Sequence, residues 1–116
     1  MRILVVDDDE DIALMLVRIL TRLGHQAECC SEPATAIQQS LFESYDIVMA
    51  DYVMGPYTGL DVLRAYNLSF RVLLTASYNT TKISDALRDG VVHMVLTKPA
   101  TLADLSRVLY AAARAR

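Results

Sequence analysis

Apolar residues fall into short continuous runs that alternate, five times over, with stretches of helical spacing. Residues 2–7 read as a buried strand through Ile3-Leu4-Val5-Val6. Residues 10–23 place Ile12, Met15, Leu16, Ile19, Leu20 and Leu23 on one helical face, with Gly24 as a stop. Residues 26–30 form a shorter, less apolar strand, suited to a place near a sheet edge. Ser31-Glu32-Pro33 starts a second helix, Ser31 as N-cap and proline in the first turn, running to about Phe42. Residues 46–51 form a third strand whose unbroken apolar run suits the sheet centre. Gly55-Pro56-Tyr57-Thr58-Gly59 reads as a loop before a short helix over 60–66. A strand over 71–75, a helix over 80–89 ended by Gly90, and a strand over 91–97 follow. Thr101 caps a last helix with Leu102, Leu105, Val108, Leu109 and Ala112 on one face. Such alternation implies an α/β fold of parallel strands joined by right-handed crossovers.

In such a fold the strand ends converge on one edge, where ligands bind. Asp7-Asp8-Asp9 follows the first strand, Asp51 ends the third, Thr75 the fourth, and Lys98-Pro99 closes the fifth. One carboxylate suffices to cap the first helix, and Glu10 and Asp11 suit its positive end. A run of three repels itself unless a cation neutralises it, and hard oxygen ligands favour Mg2+ or Mn2+. An EF-hand reading of Asp7, Asp9 and Asp11 fails because Ile12 stands where a glycine must turn the loop. Asp51 is either a turn residue or a nucleophile able to form an acyl phosphate. Thr75 and Lys98 offer a hydroxyl and an ammonium for phosphoryl oxygens. Taken singly, each has an ordinary explanation; four suitable residues at four strand ends make the stronger pattern.

The totals narrow the function classes. A chain of 116 residues with 53% hydrophobic content is one domain, residues 1–116, with a core of its own. A net charge of −3 argues against a nucleic-acid surface, and Arg114 and Arg116 are too few to alter that. Cys29 and Cys30 are adjacent in a strand and face opposite ways, so no disulfide joins them; with His25 and His93 isolated, no zinc site is expected. No uncharged stretch approaches the ~20 residues of a membrane helix. A reducing, cytoplasmic location away from membranes is the expectation. The chain stops where the fifth helix stops, as a free-standing domain or as the front of a longer protein.

The ordered set Leu4-Val5-Val6-Asp7-Asp8, Asp46-Ile47-Val48-Met49-Ala50-Asp51, Gly59, Leu73-Leu74-Thr75-Ala76 and Leu96-Thr97-Lys98-Pro99 resembles the receiver domain of two-component response regulators. The resemblance implies a flavodoxin-like three-layer sandwich, a doubly wound five-stranded parallel sheet in order 2-1-3-4-5. It implies that Asp51 is the phosphoacceptor. Mg2+ would be held by Asp7, Asp8, Asp51 and the Val53 carbonyl, one of the paired aspartates acting through water. Thr75 and the Ala76 amide would turn toward the phosphoryl group, Lys98 would bind it, and Pro99 would be the cis proline. The implied partners are a histidine kinase or phosphotransfer protein and a downstream effector, and a phosphorylation-dependent homodimer is left open. The activity implied is self-phosphorylation and self-dephosphorylation rather than turnover.

Departures from the family pattern carry their own expectations. The proline after the acceptor is shifted by one in Met54-Gly55-Pro56, so the loop differs in shape. The third helix is short. One extra residue lies between Gly90 and Lys98, and the usual switch aromatic is Val95; if the extra residue forms a bulge, His93 comes near that place instead. The usual phenylalanine after Lys98-Pro99 is Ala100. Val53 and Ser77, at positions that influence hydrolysis in the family, offer no general base, so self-dephosphorylation is expected to be slow to moderate. Two alternatives compete. A phosphatase of the haloacid dehalogenase type fails on its motif, with Asp11 where Thr or Val belongs. A phosphorylation-independent interaction module on the same fold is favoured by the missing aromatic and the unusual loop after Asp51, and opposed by the intact acidic residues and Lys98.

Overall fold

The computed structural model describes residues 1–76 and 80–115; Ser77 and Arg116 lie outside them. A five-stranded parallel sheet of β1 (Arg2–Val6), β2 (Gln26–Cys30), β3 (Ile47–Asp51), β6 (Phe70–Thr75) and β7 (Met94–Thr97) forms the centre, in the spatial order β2-β1-β3-β6-β7. This is the 2-1-3-4-5 order once the small hairpin of β4 (Val53–Met54) and β5 (Tyr57–Thr58) is set apart. Five helices cover the two faces: α1 (Glu10–Arg22), α2 (Pro33–Gln39), α3 (Gly59–Ala65), α4 (Thr81–Arg88) and α5 (Leu102–Arg114).

Strand alternation explains the two layers. Leu4, Val6, Val48, Ala50 and Leu73 point to one face and pack with Ala36 of α2, Leu60, Val62 and Leu63 of α3, and Ile83 and Ala86 of α4. Ile3, Val5, Ile47, Met49, Val72 and Leu74 point to the other, against Ala13, Leu16 and Leu20 of α1 and Leu105, Val108 and Ala112 of α5. β3 is buried along its whole length, as its apolar run requires, whereas β2 is a partly exposed edge strand.

Local chemistry sets the boundaries. Asp9 caps α1, accepting from the Asp11 and Ile12 amides at 3.1 and 3.3 Å. Thr80 caps α4, and Thr101 and Asp104 form a reciprocal capping box on α5. Three expected boundaries move. Pro33 is the first residue of α2, so Glu32 rather than Ser31 is its N-cap, and the helix ends at Gln39, leaving Leu41 and Phe42 exposed. The expected loop after Asp51 closes into the β4–β5 hairpin, with Gly55 at φ +65°, where a side chain is unfavourable. β7 starts at Met94 because the Val91 and Val92 amides both bond back to the Ala86 carbonyl, at 2.9 and 3.2 Å.

The extra residue is therefore absorbed in the turn before β7 and makes no bulge, since Met94 to Thr97 pair in unbroken register with Val72 to Thr75. His93 does not reach the switch position. It sits at the opposite end of the strands, stacked on Phe70 at 4.8 Å, its Nδ1 accepting from the Arg71 amide at 2.9 Å.

Arg71 is a feature that hydrophobic patterning did not single out. Its side chain is buried beside His93, and no carboxylate pairs with it among the described residues. The guanidinium donates instead to the carbonyls of Asn67 and Ser69 after α3, and of Gly90 (2.6 Å) and Val91 (2.8 Å) after α4. These carbonyls lie just past helix C-termini, the negative ends of the helix dipoles, so the cation is matched by partial charges. It ties α3, α4 and β7 together at the edge away from Asp51. Arg71→Met, which keeps length but removes the donors, is expected to lower stability by roughly 3 kcal/mol or more, read as a lower urea midpoint.

Candidate functional site

Parallel strands bring the polar strand ends to one edge. Val6 pairs with Ala50, so Asp7 emerges beside Asp51; Thr75 pairs with Thr97, so Lys98 emerges beyond Thr75. The Lys98 amide donates to the Thr75 carbonyl at 2.8 Å, and the Lys98–Pro99 peptide is cis. The Lys98 ammonium stands between two carboxylates, 3.0 Å from Asp7 Oδ2 and 3.3 Å from Asp51 Oδ1.

The aspartates differ in environment. Asp7 is 0% exposed and its other oxygen accepts from the Asp9 amide at 2.9 Å, which fixes its orientation. Asp51 is 9% exposed, and Asp8 faces solvent. One oxygen from each of Asp7, Asp8 and Asp51 lies within 4.8 Å of the others. Asp9 is spent on the helix cap and stands outside this group. Val53, Thr75, Ala76 and Thr80 join Asp51, Tyr52 and Lys98 in lining an open cleft of about 350 Å³. Thr75 is buried at the cleft wall. Val95 is half-buried in the core layer under α2, α3 and α4 and does not line the cleft.

Charge in the site is incompletely balanced. Burial raises the Asp51 pKa, Asp7 adds to the rise, and Lys98 only partly opposes it. Burial works against the Lys98 charge, but the hydrogen bond and charge of Asp7, then the charge of Asp51, outweigh it and raise its pKa. Three converging carboxylates against one ammonium leave an excess of negative charge on hard oxygen donors. That donor set fits Mg2+.

Gly59 explains itself only in three dimensions. A Cβ there would lie 2.4 Å from the Asp51 carbonyl oxygen and 2.8 Å from Leu73 Cδ1. Its amide donates to the Tyr52 carbonyl at 2.8 Å, so the start of α3 is pressed against the backbone that carries Asp51. Tyr52 is the other residue that the patterning missed. It lies beside Asp51 and is half-buried against the same core layer.

The chain matches the family model described as the response regulator receiver domain over residues 3–110. Among curated relatives, it is 30% identical to the transcriptional regulatory protein TcrA of Mycobacterium tuberculosis over 97% of this chain and 46% of that protein. It spans between 9% and 46% of the length of most of the curated relatives it matches. Among solved structures, the Francisella response regulator 1452 receiver domain superposes with a TM-score of 0.85 at 25% identity, over 99% of this chain and 98% of that one. Response regulator TrrA from Thermotoga maritima, solved in complex with Mg2+ and BeF, superposes with a TM-score of 0.79 at 23% identity, over 96% and 97%.

Two outcomes follow from this geometry. Gly59→Ala is expected to cost about 1–3 kcal/mol, because the clash is with backbone, and to lower the thermal midpoint. A carboxyl whose folded pKa is raised binds its proton more tightly in the fold than in the unfolded chain. Its ionisation therefore opposes folding above the folded pKa, and the penalty is gone below the unfolded one. Asp51→Asn is thus expected to be more stable than the parent at neutral pH without divalent cation, with the gain shrinking on acidification. Urea unfolding across pH checks this.

Proposed function

We propose that this chain, which belongs to the response regulator receiver domain family, takes a phosphoryl group from the phosphohistidine of a histidine kinase or phosphotransfer protein onto Asp51. Receiver domains are signalling domains rather than turnover enzymes. We take residues 1–116 as one such domain, working in the cytoplasm; among the described residues no helix is long and apolar enough to cross a membrane. The observation that carries the reading is the Lys98 ammonium held between Asp7 and Asp51, at the point where three carboxylates converge.

In the proposed reaction, an Asp51 carboxylate oxygen attacks phosphorus in line. The O–P bond forms as the P–N bond to imidazole breaks, and the imidazole nitrogen leaves with the electron pair. Lys98 offsets charge on the equatorial oxygens from a position already fixed by Asp7. Asp7, Asp8, Asp51 and the Val53 carbonyl would hold Mg2+, which supplies charge compensation for the transferring group. TrrA, with its Mg2+ and BeF, supports that assignment by its likeness of fold. Thr75 and Ala76 both line the cleft, and the Thr75 hydroxyl and the Ala76 amide would then close on the new phosphoryl oxygens. The added charge of roughly −1.5 to −2 falls where one carboxylate stood. The signal would pass to a downstream effector domain or protein. With Val53 exposed and aliphatic, water has no base at that position, and slow to moderate self-dephosphorylation is the reading.

The phosphatase alternative is set aside by the family match. The phosphorylation-independent module has no observation in its favour beyond the aliphatic Val95.

Incubation with acetyl phosphate and Mg2+, followed by intact mass, tests the assignment. The parent is expected to gain one phosphoryl mass, and the gain to disappear with chelator. Asp51→Asn is expected to gain none, and Lys98→Met to be labelled at least ~10-fold more slowly. An Asp51→Asn protein labelled like the parent overturns the acceptor assignment.

A further inference from the structure

A second cavity, of about 270 Å³, opens on the sheet face covered by α1 and α5. Ile12, Met15 and Leu16 of α1 form one wall. Leu74 of β6 and the Lys98-Pro99-Ala100 segment after β7 form the other. Leu16 and Leu74 are buried and close the bottom, while Met15 is 44% exposed and stands at the mouth. Ala100 is the smallest side chain in this lining, and its methyl group leaves the space between the segment and α1 unfilled. Lys98 belongs to this pocket and to the cleft at Asp51 alike.

The lining decides what can enter. Apart from Lys98, every residue in it is apolar. Water fills such a space poorly, because an ordered water seeks about three hydrogen bonds and aliphatic carbon offers none. An anion meets the Lys98 ammonium only where Asp7 and Asp51 already stand at 3.0 and 3.3 Å, so a third negative charge is unfavourable there. A cation is repelled by the one charge in the lining. What remains is a neutral apolar molecule, whose entry removes its own surface and that of the pocket from water.

Two side chains narrow the choice further. The Lys98 ammonium is attracted by the face of an aromatic ring and gains nothing from an alkane. The Met15 thioether is polarisable, makes favourable contacts with ring edges, and adapts its shape at the mouth. Size agrees: an aliphatic cavity of roughly 150 Å³ is enough to take up benzene, and this one is larger.

We propose that this pocket is a binding site for a small uncharged aromatic molecule of one or two rings, seated between α1 and the segment after β7, against Met15 and Lys98. Because Lys98 walls both cavities, the occupant also rests against the lysine of the acidic site. The inference does not depend on Asp51 taking a phosphoryl group.

Methyl spectra of the 13C-labelled protein titrated with toluene test this, with methylcyclohexane as a probe of similar size and no ring face. Toluene is expected to shift the methyl signals of Ile12, Met15 and Leu74 in a saturable way and to leave those of the exposed Leu41 and Leu68 in place. Methylcyclohexane is expected to bind at least ~3-fold more weakly. Ala100→Phe and the less bulky Ala100→Leu, each filling the pocket from its own wall, are expected to weaken toluene binding at least ~10-fold while the remaining methyl signals keep their positions. The absence of saturable shifts in the parent, shifts spread over exposed methyl groups, or undiminished toluene binding in a folded Ala100→Leu protein overturns the site. Methylcyclohexane binding as tightly as toluene overturns the aromatic assignment. A concentration-dependent dimer seen by sedimentation and lost in Ala100→Leu would give the pocket to a second copy of the chain and overturn the proposal as well.

Discussion

Everything at the functional edge depends on one ammonium. Asp7 and Asp51 stand at the ends of neighbouring parallel strands, close enough that the Asp7 charge adds to the cost of ionising Asp51. Lys98, reaching across from the far side of β6, is what makes their proximity tolerable. The geometry is paid for by the fold: β1, β3, β6 and β7 must be parallel and in register for three separate segments to meet. The register in turn rests on the two core layers, because a slip of one residue would swap Leu4 and Val5 between faces. Packing thus sets the strand ends, and the strand ends set the electrostatics.

The same edge divides labour among chemically identical side chains. Asp7 is sealed in and hydrogen-bonded on both oxygens, which suits a fixed counter-charge. Asp8 is exposed to solvent. Asp9 satisfies the α1 amides. Asp51 is nearly buried but opens on the cleft, which suits a nucleophile whose desolvation sharpens its interactions with incoming charge. Four aspartates carry four environments, set by where each falls relative to a strand end and a helix start.

Much of this was legible in one dimension. The alternation of runs and helical spacing specified five strands and five helices, and Asp7, Asp8, Asp51, Thr75 and Lys98 stood out as polar residues at strand ends. What stayed hidden depends on contacts between distant segments. Gly59 reads as a loop glycine, but its requirement comes from the Asp51 carbonyl pressed against it. Arg71 reads as the polar start of a strand, yet its cation serves carbonyls after two helices. His93 comes near the switch position only if the extra residue before Lys98 forms a bulge; hydrogen bonds of Val91 and Val92 to Ala86 place that residue in the turn instead. Tyr52 carries no signal in the linear pattern, since lining two cavities is a property of the folded chain alone.

The central claim is that Asp8, Asp51 and Lys98 act at one place on one ligand set. A crystal structure of the protein grown with Mg2+ and beryllofluoride tests it most directly. The account predicts a beryllofluoride group on the Asp51 carboxylate, with the Lys98 ammonium against its fluorines and the metal ligated by Asp8 and Asp51. Beryllofluoride bound away from Asp51, or a metal held by residues at another edge of the sheet, would contradict it.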